Sequence, residues 1–187
     1  MSESPYLTGQ LLLAMPSMLD TRFSKTVIYM CAHNEEGAMG LVVNRELESL
    51  TFPDLLNQLG IEPLIARPQI KIHFGGPVDS GRGFVLHTAD YTQEATVPVD
   101  EAVALTTTMD ILQAIAEGDG PDQCLLALGY AGWGPGQLDA EIKENGWLHV
   151  TSDDDLVFGP ELDGKWERGM GKLGIDPRML SDDAGHA

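Results

Sequence analysis

The chain has 187 residues, a length that predicts one compact domain with one hydrophobic core. Eleven Lys and Arg residues against 29 Asp and Glu residues give a formal net charge of -18 with His neutral. So acidic a surface repels phosphate backbones, which argues against direct nucleic-acid binding. A hydrophobic content of 43%, with 21 Gly and 11 Pro, is typical of a globular protein and excludes disordered or collagen-like composition.

The start of the chain and its apolar runs predict a cytoplasmic protein that does not enter a membrane. Residues 1–5 contain an acid and no basic group, unlike the positively charged start of a secretory signal. The apolar runs at 11–15 and 124–128 are much shorter than the roughly 20 residues that span a bilayer. Cys31 and Cys124 lie in apolar runs, so we expect two buried free thiols.

Seven short segments, rich in apolar and β-branched residues and bounded by Gly, Pro or Asn, predict β-strands. The polar turn at 34–37 separates the second segment from the third and predicts a hairpin. The seven segments are residues 10–15, 26–33, 39–44, 70–74, 83–87, 124–130 and 147–151.

Four segments carry apolar residues three and four positions apart and predict helices. The first has Pro53 in its opening turn and Gly60 at its end, which are the residues that favour a helix start and stop. In the second, Thr107 is placed to cap the helix and Gly118 to end it. The four segments are residues 51–60, 107–118, 136–145 and 165–173.

The order of these elements favours an α+β fold over strict alternation of strands and helices. We expect one domain over residues 1–187, with a short polar tail at 181–187 that frays.

The stretch GYAGWGPGQL at 129–138 follows a predicted strand and opens a predicted helix. Free backbone N–H groups at such a turn can bind a phosphate. However, the stretch lacks the lysine of a P-loop, and Pro135 removes one donor. Between Gly83 and Ile142 there is no Lys or Arg but ten Asp and Glu residues, so we favour a packing role for the glycines.

Cys31 and His33 stand two residues apart on a predicted strand and therefore share one face. Such a pair can be a nucleophile with its base or two metal ligands, but no second ligand cluster accompanies it, and an inert thiol is favoured. No serine stands in the Gly-x-Ser-x-Gly pattern of a nucleophile elbow. The acidic run at 153–155 is predicted to be a solvated loop, because consecutive carboxylates cannot all reach one ion. We therefore expect no catalytic set, no metal and no cofactor.

Arg45 ends a predicted strand, and Arg82 follows the glycine turn at 75–76. If the two guanidinium groups converge, they can bind a carboxylate or a phosphate in an otherwise acidic protein. The alternative is that each arginine pairs with a nearby carboxylate, and we favour it because acids outnumber bases so heavily.

Taken together, the motifs resemble the YqgE/AlgH family of bacterial proteins over nearly the whole chain. Pro135 and Asp139 stand where the family pattern has Ala and Glu. The motifs that carry the resemblance are GQ at 9–10, AMP at 14–16, HNEEGAMGLVVNR at 33–45, FGGPV at 74–78, RGFVLH at 82–87, LTT at 105–107, LGYAGWG at 128–134 and GQL at 136–138.

The resemblance implies an α+β fold with a mainly antiparallel, barrel-like sheet surrounded by about four helices. It implies no agreed reaction or cofactor, and part of the family's name comes from a proposed role in regulating alginate synthesis. A regulator that contacts DNA directly needs a basic face, which a net charge of -18 does not provide. If the regulatory label holds, we expect an indirect role in transcription through a protein partner.

Two hypotheses follow. The first is a non-enzymatic cytoplasmic binding or regulatory module whose loops at 34–37, 75–78 and 130–137 form a surface for a protein partner. The second is an enzyme or binder of a small anionic ligand that uses the same loops together with Arg45 and Arg82. The candidate site residues are Asn34, Glu36, Asn44, Arg45, Gly75, Gly76, Arg82, Tyr130, Trp133 and Gln137.

Overall fold

Nine strands and five helices form from the residues that the computed structural model describes, which are 6–16, 23–62, 71–107, 109–159 and 161–175. The strands are β1 (Gln10–Ala14), β2 (Val27–Asn34), β3 (Gly37–Val42), β4 (Ile72–Phe74), β5 (Val78–Thr88), β6 (Val97–Pro98), β7 (Val103–Thr106), β8 (Cys124–Trp133) and β9 (Trp147–Thr151). The helices are α1 (Phe52–Gln58), α2 (Met109–Glu117), α3 (Gln137–Lys143), α4 (Asp154–Phe158) and α5 (Lys165–Lys172).

The contacts within the chain group it into two compact units. Unit one consists of the described parts of Met1–Asn44 and Ala131–Ala187, and unit two of the described parts of Arg45–Tyr130. The prediction of a single domain over residues 1–187 stays a prediction. The expected tail at 181–187 lies outside the described residues.

Unit one contains four antiparallel strands in the order β3-β2-β1-β9, and the last residues of β8 pair with β3. The hairpin predicted around 34–37 is present between β2 and β3. Helix α5 packs closely against β1, because a Cβ added at Gly169 would lie 2.7 Å from the Leu13 side chain. The indole of Trp166 fixes the same contact by donating to the Ala14 carbonyl at 2.8 Å.

A buried lysine joins three segments of unit one. Lys165 is fully buried at the start of α5, and its Nζ donates to the carbonyl oxygens of Val43 and Val157, each at 3.0 Å. These bonds connect the end of the β3 segment and helix α4 to α5. A buried charge needs such partners to offset its loss of hydration.

Helix α4 corrects the prediction of a solvated loop at 153–155. The carboxylate of Asp153 accepts a hydrogen bond from the Leu156 N–H at 2.8 Å, so this residue caps a helix. The same carboxylate lies 2.9 Å from the Lys172 ammonium. Asp153, the first acid of the run, therefore caps a helix, whereas the sequence pattern predicted a loop.

Unit two contains the antiparallel order β6-β7-β5-β8, with β4 pairing in parallel with β8. Helix α1 begins as predicted, with Thr51 and Asp54 forming a reciprocal capping box around Pro53. Buried residues of α1 and α2 form one apolar cluster with β5 and β8, namely Phe52, Leu56, Val85, Ile111, Ile115, Ala116 and Leu126.

The α+β class with a mainly antiparallel sheet, expected from element order and from the resemblance, is confirmed. The described residues contain five helices where about four were expected, α4 being the addition. They also contain β6 and β7, which the strand pattern did not predict.

Candidate functional site

Trp133, expected in one of the loops of a recognition surface, belongs to the core of unit one. The residue is only 8% exposed and meets Trp147 edge-to-face, with ring centroids 6.0 Å apart. Glu141 serves both rings, since its Oε1 accepts from the Trp133 indole at 3.0 Å and from the Trp147 indole at 2.9 Å. Gln137 donates to the other carboxylate oxygen at 3.0 Å. One carboxylate therefore satisfies three donors at the edge of the core.

The asparagines among the candidate residues stabilise local backbone. Asn34 accepts from the Glu36 N–H at 2.8 Å within the hairpin turn, and the Glu36 side chain is exposed. Asn44 accepts from the Val27 N–H and donates to the Lys25 carbonyl, each at 3.0 Å. These amides connect neighbouring segments of unit one.

The glycines at 75–76 are packing residues of unit two. A Cβ at Gly75 would overlap the carbonyl oxygen of Gly129, and a Cβ at Gly129 would overlap that of Gly76. Gly129 also has a φ of +79°, which favours glycine. Tyr130, the next residue, meets Phe84 edge-to-face at 5.7 Å between ring centroids.

The turn after β8 offers little to a phosphate. The Gly134 N–H, one of the donors that such a turn would present, already donates to Gln137 Oε1 at 2.9 Å. The packing role that the sequence favoured for the glycine-rich stretch agrees with these contacts.

A cavity of about 190 Å³ opens in unit two between α1, α2 and strands β4, β5 and β8. Its lining is mostly aliphatic, with Arg82 as its charged residue and two threonines. The lining residues are Leu55, Leu59, Ile72, Gly81, Arg82, Gly83, Phe84, Val85, Thr106, Thr107, Met109, Leu112, Leu126, Ala127 and Leu128.

Two glycines of β5 keep space open at this cavity. A Cβ at Gly81 would meet no atom within 4 Å, and one at Gly83 would meet the Leu128 side chain at 3.9 Å. The pairing of β5 with β8 shifts register between Val78 and Gly83, so the strand bulges at this point. Glycines inside a strand mark a bulge or a close approach by another group, and the pattern Gly81-Arg82-Gly83 was the sequence signal that could have located the cavity.

Arg82 does not pair with a carboxylate in the part of the chain that the structure describes. Its guanidinium lies over the ring of Phe84 instead, 5.3 Å from the centroid, and Phe84 also lines the cavity. Arg45 is absent from the lining, its carbonyl accepts from the Phe74 N–H at 3.0 Å, and burial lowers the pKa of its guanidinium. The cavity therefore includes one of the two arginines that the sequence singled out.

A directed chain of hydrogen bonds runs from the cavity wall into unit two. His87 is fully buried; Nδ1 donates to the Thr88 carbonyl at 2.8 Å, and Nε2 of the neutral ring accepts from the Thr106 hydroxyl, also at 2.8 Å. The Thr106 oxygen lies 2.9 Å from the Thr96 hydroxyl, which accepts from the Gln93 N–H. Burial lowers the pKa of His87 below its ordinary value, opposed in part by the bond to Thr88 and the charge of Asp90, and so favours the neutral form of the ring.

The Cys31 and His33 side chains do not form a reactive pair. Burial raises the pKa of the Cys31 thiol to about 12, and its sulfur lies 3.9 Å from the Tyr29 carbonyl. His33 Nδ1 accepts from the Leu7 N–H at 3.0 Å, and Nε2 lies 3.4 Å from the Asp139 carboxylate. Both imidazole nitrogens already have partners, so the ring cannot serve as a base for Cys31.

The comparisons with known proteins establish the relationship of the chain. A family model described as AlgH-like matches residues 11–178. The chain belongs to the AlgH-like family. The resemblance read from the motifs is thereby confirmed.

Relatives of this AlgH-like chain match it along almost its whole length. A UPF0301 protein of Rhodospirillum rubrum is 59% identical over 182 residues, covering 97% of this chain and 95% of that protein. A UPF0301 protein of Bradyrhizobium diazoefficiens is 55% identical over 194 residues, covering 100% and 91%. These names carry no reaction, ligand or partner.

Two solved structures have a similar fold. The solution structure of the AlgH protein from Pseudomonas aeruginosa superimposes with a TM-score of 0.80 at 42% identity, covering 100% of this chain and 99% of that one. A crystal structure of a Corynebacterium diphtheriae protein gives a TM-score of 0.76 at 20% identity, covering 97% and 94%, which shows the fold alone.

The described residues of this AlgH-like chain lack two further features. None of their helices has the length and apolar character needed to cross a membrane. Nor do three or more of their His, Cys, Asp and Glu side chains come together in a group able to hold a metal ion.

Proposed function

We propose that this chain is a non-enzymatic binding module, and that its cavity in unit two binds a small ligand with an apolar body and a negatively charged group. Arg82 carries the proposal: it is the charged residue of an otherwise apolar and hydroxyl lining, and it has no carboxylate partner among the described residues. A guanidinium beside an apolar space matches a ligand that combines these two groups.

The non-enzymatic part of the proposal is supported by the state of the one nucleophile and base that the sequence offered. The pKa of Cys31 is raised to about 12, so the thiolate, which is the reactive form, is scarce at neutral pH. Both nitrogens of His33 have partners. The buried side chains of Cys31 and His33 therefore have a packing role.

A thermal-shift titration tests the proposal with benzoate, cyclohexanecarboxylate and butyl phosphate as probes. A ligand that binds only the folded chain at 100 times its Kd stabilises it by about 2.7 kcal/mol, which raises Tm by several degrees. We expect a saturable rise with at least one probe, which Gly83→Leu abolishes by filling the cavity. Gly171→Leu, at an exposed glycine of α5 with no atom near its added Cβ, is the matched control.

Charge variants separate the roles of the two arginines. We expect Arg82→Gln to remove the rise, whereas Arg45→Ala and Lys143→Gln, at an exposed lysine, leave it intact. Equal shifts in the wild-type, Arg82→Gln and Gly83→Leu proteins, or no shift with any probe, would overturn the proposal.

A protein partner, an indirect role in transcription and a cytoplasmic location stay predictions from the sequence. Trp133→Ala is not a suitable test of the partner hypothesis, because the buried indole supports the core of unit one. The exposed residues Glu36 and Gln137 are better positions for such a test.

A further inference from the structure

We propose that the ligand is an unbranched aliphatic monocarboxylate of about six to eight carbon atoms, whose chain fills the cavity while Arg82 binds its carboxylate. This inference rests on the proposed function and specifies the class of ligand.

The volume of the cavity limits the apolar body of the ligand. At about 190 Å³ it is below the roughly 300 to 1,000 Å³ of pockets for drug-sized molecules. It is somewhat larger than the roughly 150 Å³ apolar cavity that accommodates benzene. A body of about six to eight carbon atoms therefore fills it, and a nucleotide or a two-ring compound does not fit.

The chemistry of the wall favours an aliphatic chain. Its side chains come mainly from Leu, Ile and Val on five elements, whereas Phe84 is the one aromatic residue in the lining. The Phe84 ring already has the Arg82 guanidinium over it and meets the Tyr130 ring edge-to-face, which leaves less of its surface to stack on a ligand ring. Dispersion and burial of methylene groups are the interactions that this wall provides.

The surrounding charge favours a monoanion. Arg82 is the charged residue of the lining, and the 60 positions after it contain ten acids but no Lys or Arg. Asp54 and Asp110 stand in the first turns of the two helices that border the cavity. One guanidinium balances a single carboxylate, which it can bind through two parallel hydrogen bonds, whereas a phosphate dianion would meet uncompensated repulsion.

The open space at Gly81 and Gly83 indicates where the chain enters. A Cβ added at Gly81 would meet no atom within 4 Å, one at Gly83 would meet only the Leu128 side chain at 3.9 Å, and Gly81, Arg82 and Gly83 are all exposed, so the cavity opens to solvent along this part of β5. The proposed ligand therefore has its carboxylate at this opening, within reach of Arg82, and its chain directed inward.

Calorimetric titration of the full chain with butanoate, hexanoate, octanoate and decanoate, below their micellar concentrations, tests the inference. Each buried methylene contributes about 0.8 kcal/mol, so we expect about a fourfold gain in affinity per added carbon. The gain should stop near eight carbons, when the cavity is full. Octanol and octylamine should bind at least about tenfold more weakly than octanoate, because they lack the charge-assisted bond to Arg82.

Variants identify the residues that produce this pattern. Arg82→Gln should reduce octanoate binding to the level of octanol, while Lys143→Gln has no effect. Gly83→Leu should shorten the optimal chain or abolish binding, while Gly171→Leu leaves the series unchanged.

The outcomes separate the two proposals. If benzoate or butyl phosphate binds through Arg82 but affinity shows no dependence on chain length, the aliphatic class is wrong and the proposed function survives. Octanol or octylamine binding as tightly as octanoate would likewise overturn the monocarboxylate. If none of the acids or the other probes binds, both proposals are wrong.

Discussion

The glycine-rich stretch at 129–138 and the cavity of unit two differ in how the sequence displays them. The stretch attracts attention through its four glycines and its tryptophan, yet Gly129 is fitted against backbone and Trp133 is buried in the core of unit one. The cavity is lined mainly by ordinary leucines, isoleucine and valine from scattered positions. The unusual residues Gly129 and Trp133 are packing residues, whereas the cavity proposed to bind a ligand lies where common residues leave a gap.

The two regions contain two kinds of glycine. At one kind an added Cβ would overlap neighbouring atoms, and at the other kind an added Cβ would have room. Gly129 belongs to the first kind, since its added Cβ overlaps a backbone oxygen. Gly83 belongs to the second. Stability measurements on single substitutions therefore test whether the two kinds of glycine differ in this way.

Gly129→Ala should have the largest effect, a loss of about 3 kcal/mol in the free energy of unfolding, from the overlap with Gly76 and a φ of +79°. Urea unfolding measures it. Gly136→Ala is the matched control, because Gly136 has a φ of +72° but no atom within 4 Å of its added Cβ, so only about 1 kcal/mol is expected. Equal losses in the two variants would show that packing is not the reason for glycine at 129.

Glu141→Ala should cost about 2 kcal/mol, because it leaves the indole N–H groups of Trp133 and Trp147 without their acceptor. Unfolding monitored by tryptophan fluorescence reports both stability and the environment of the rings. Glu144→Ala, at an exposed position just after α3, is the control. An unchanged emission spectrum and midpoint would refute the role assigned to Glu141.

Because of His87, the free energy of unfolding of unit two should decrease in mild acid. Its pKa is lowered by burial, so the unfolded chain takes up a proton first as pH falls below about 6.5, and the free energy of unfolding decreases from there. The slope cannot exceed about 1.4 kcal/mol per pH unit for one proton. Stability measured between pH 5 and 8 should lose this slope in His87→Gln and keep it in His149→Gln, whose histidine is exposed.

Gly83→Ala should have the smallest effect, within about 0.5 kcal/mol of the wild type, because its Cβ makes only an ordinary contact with Leu128 at 3.9 Å. Thermal unfolding measures it beside Gly129→Ala. A loss as large as that of Gly129→Ala would mean that the space at Gly83 is not open and would weaken the argument for a ligand there.

Local patterns were sufficient for most of the fold. All seven predicted strands and four predicted helices have counterparts, because apolar periodicity and end signals such as Pro53 are properties of neighbouring residues. The start of the fourth predicted strand at residue 70 lies outside the described residues, as does residue 108, which stands between the predicted cap Thr107 and the first helical residue Met109. Strand β6 was missed because it has two exposed residues, one of them Pro98, and helix α4 because a capping aspartate also suits a loop.

Less of the candidate site than of the fold could be predicted from the sequence. Arg82 was chosen correctly as a lining residue, but the pairing expected for it is absent among the described residues. The walls depend on which faces of α1 and α2 meet β5 and β8, and that is settled by tertiary packing rather than by any local motif. Thr106 was missed for the same reason, whereas the two glycines beside Arg82 were a local signal that the prediction did not use.

The long-range bonds of α5 have a consequence for the order of folding during synthesis. Trp166 bonds to Ala14 and Lys165 to Val43, separations of 152 and 122 residues, while unit two lies entirely between these ends. The ribosome therefore releases the whole of unit two before unit one can complete its core. Until then β1 and β2 emerge with apolar surface uncovered, which makes the nascent chain a substrate for chaperones.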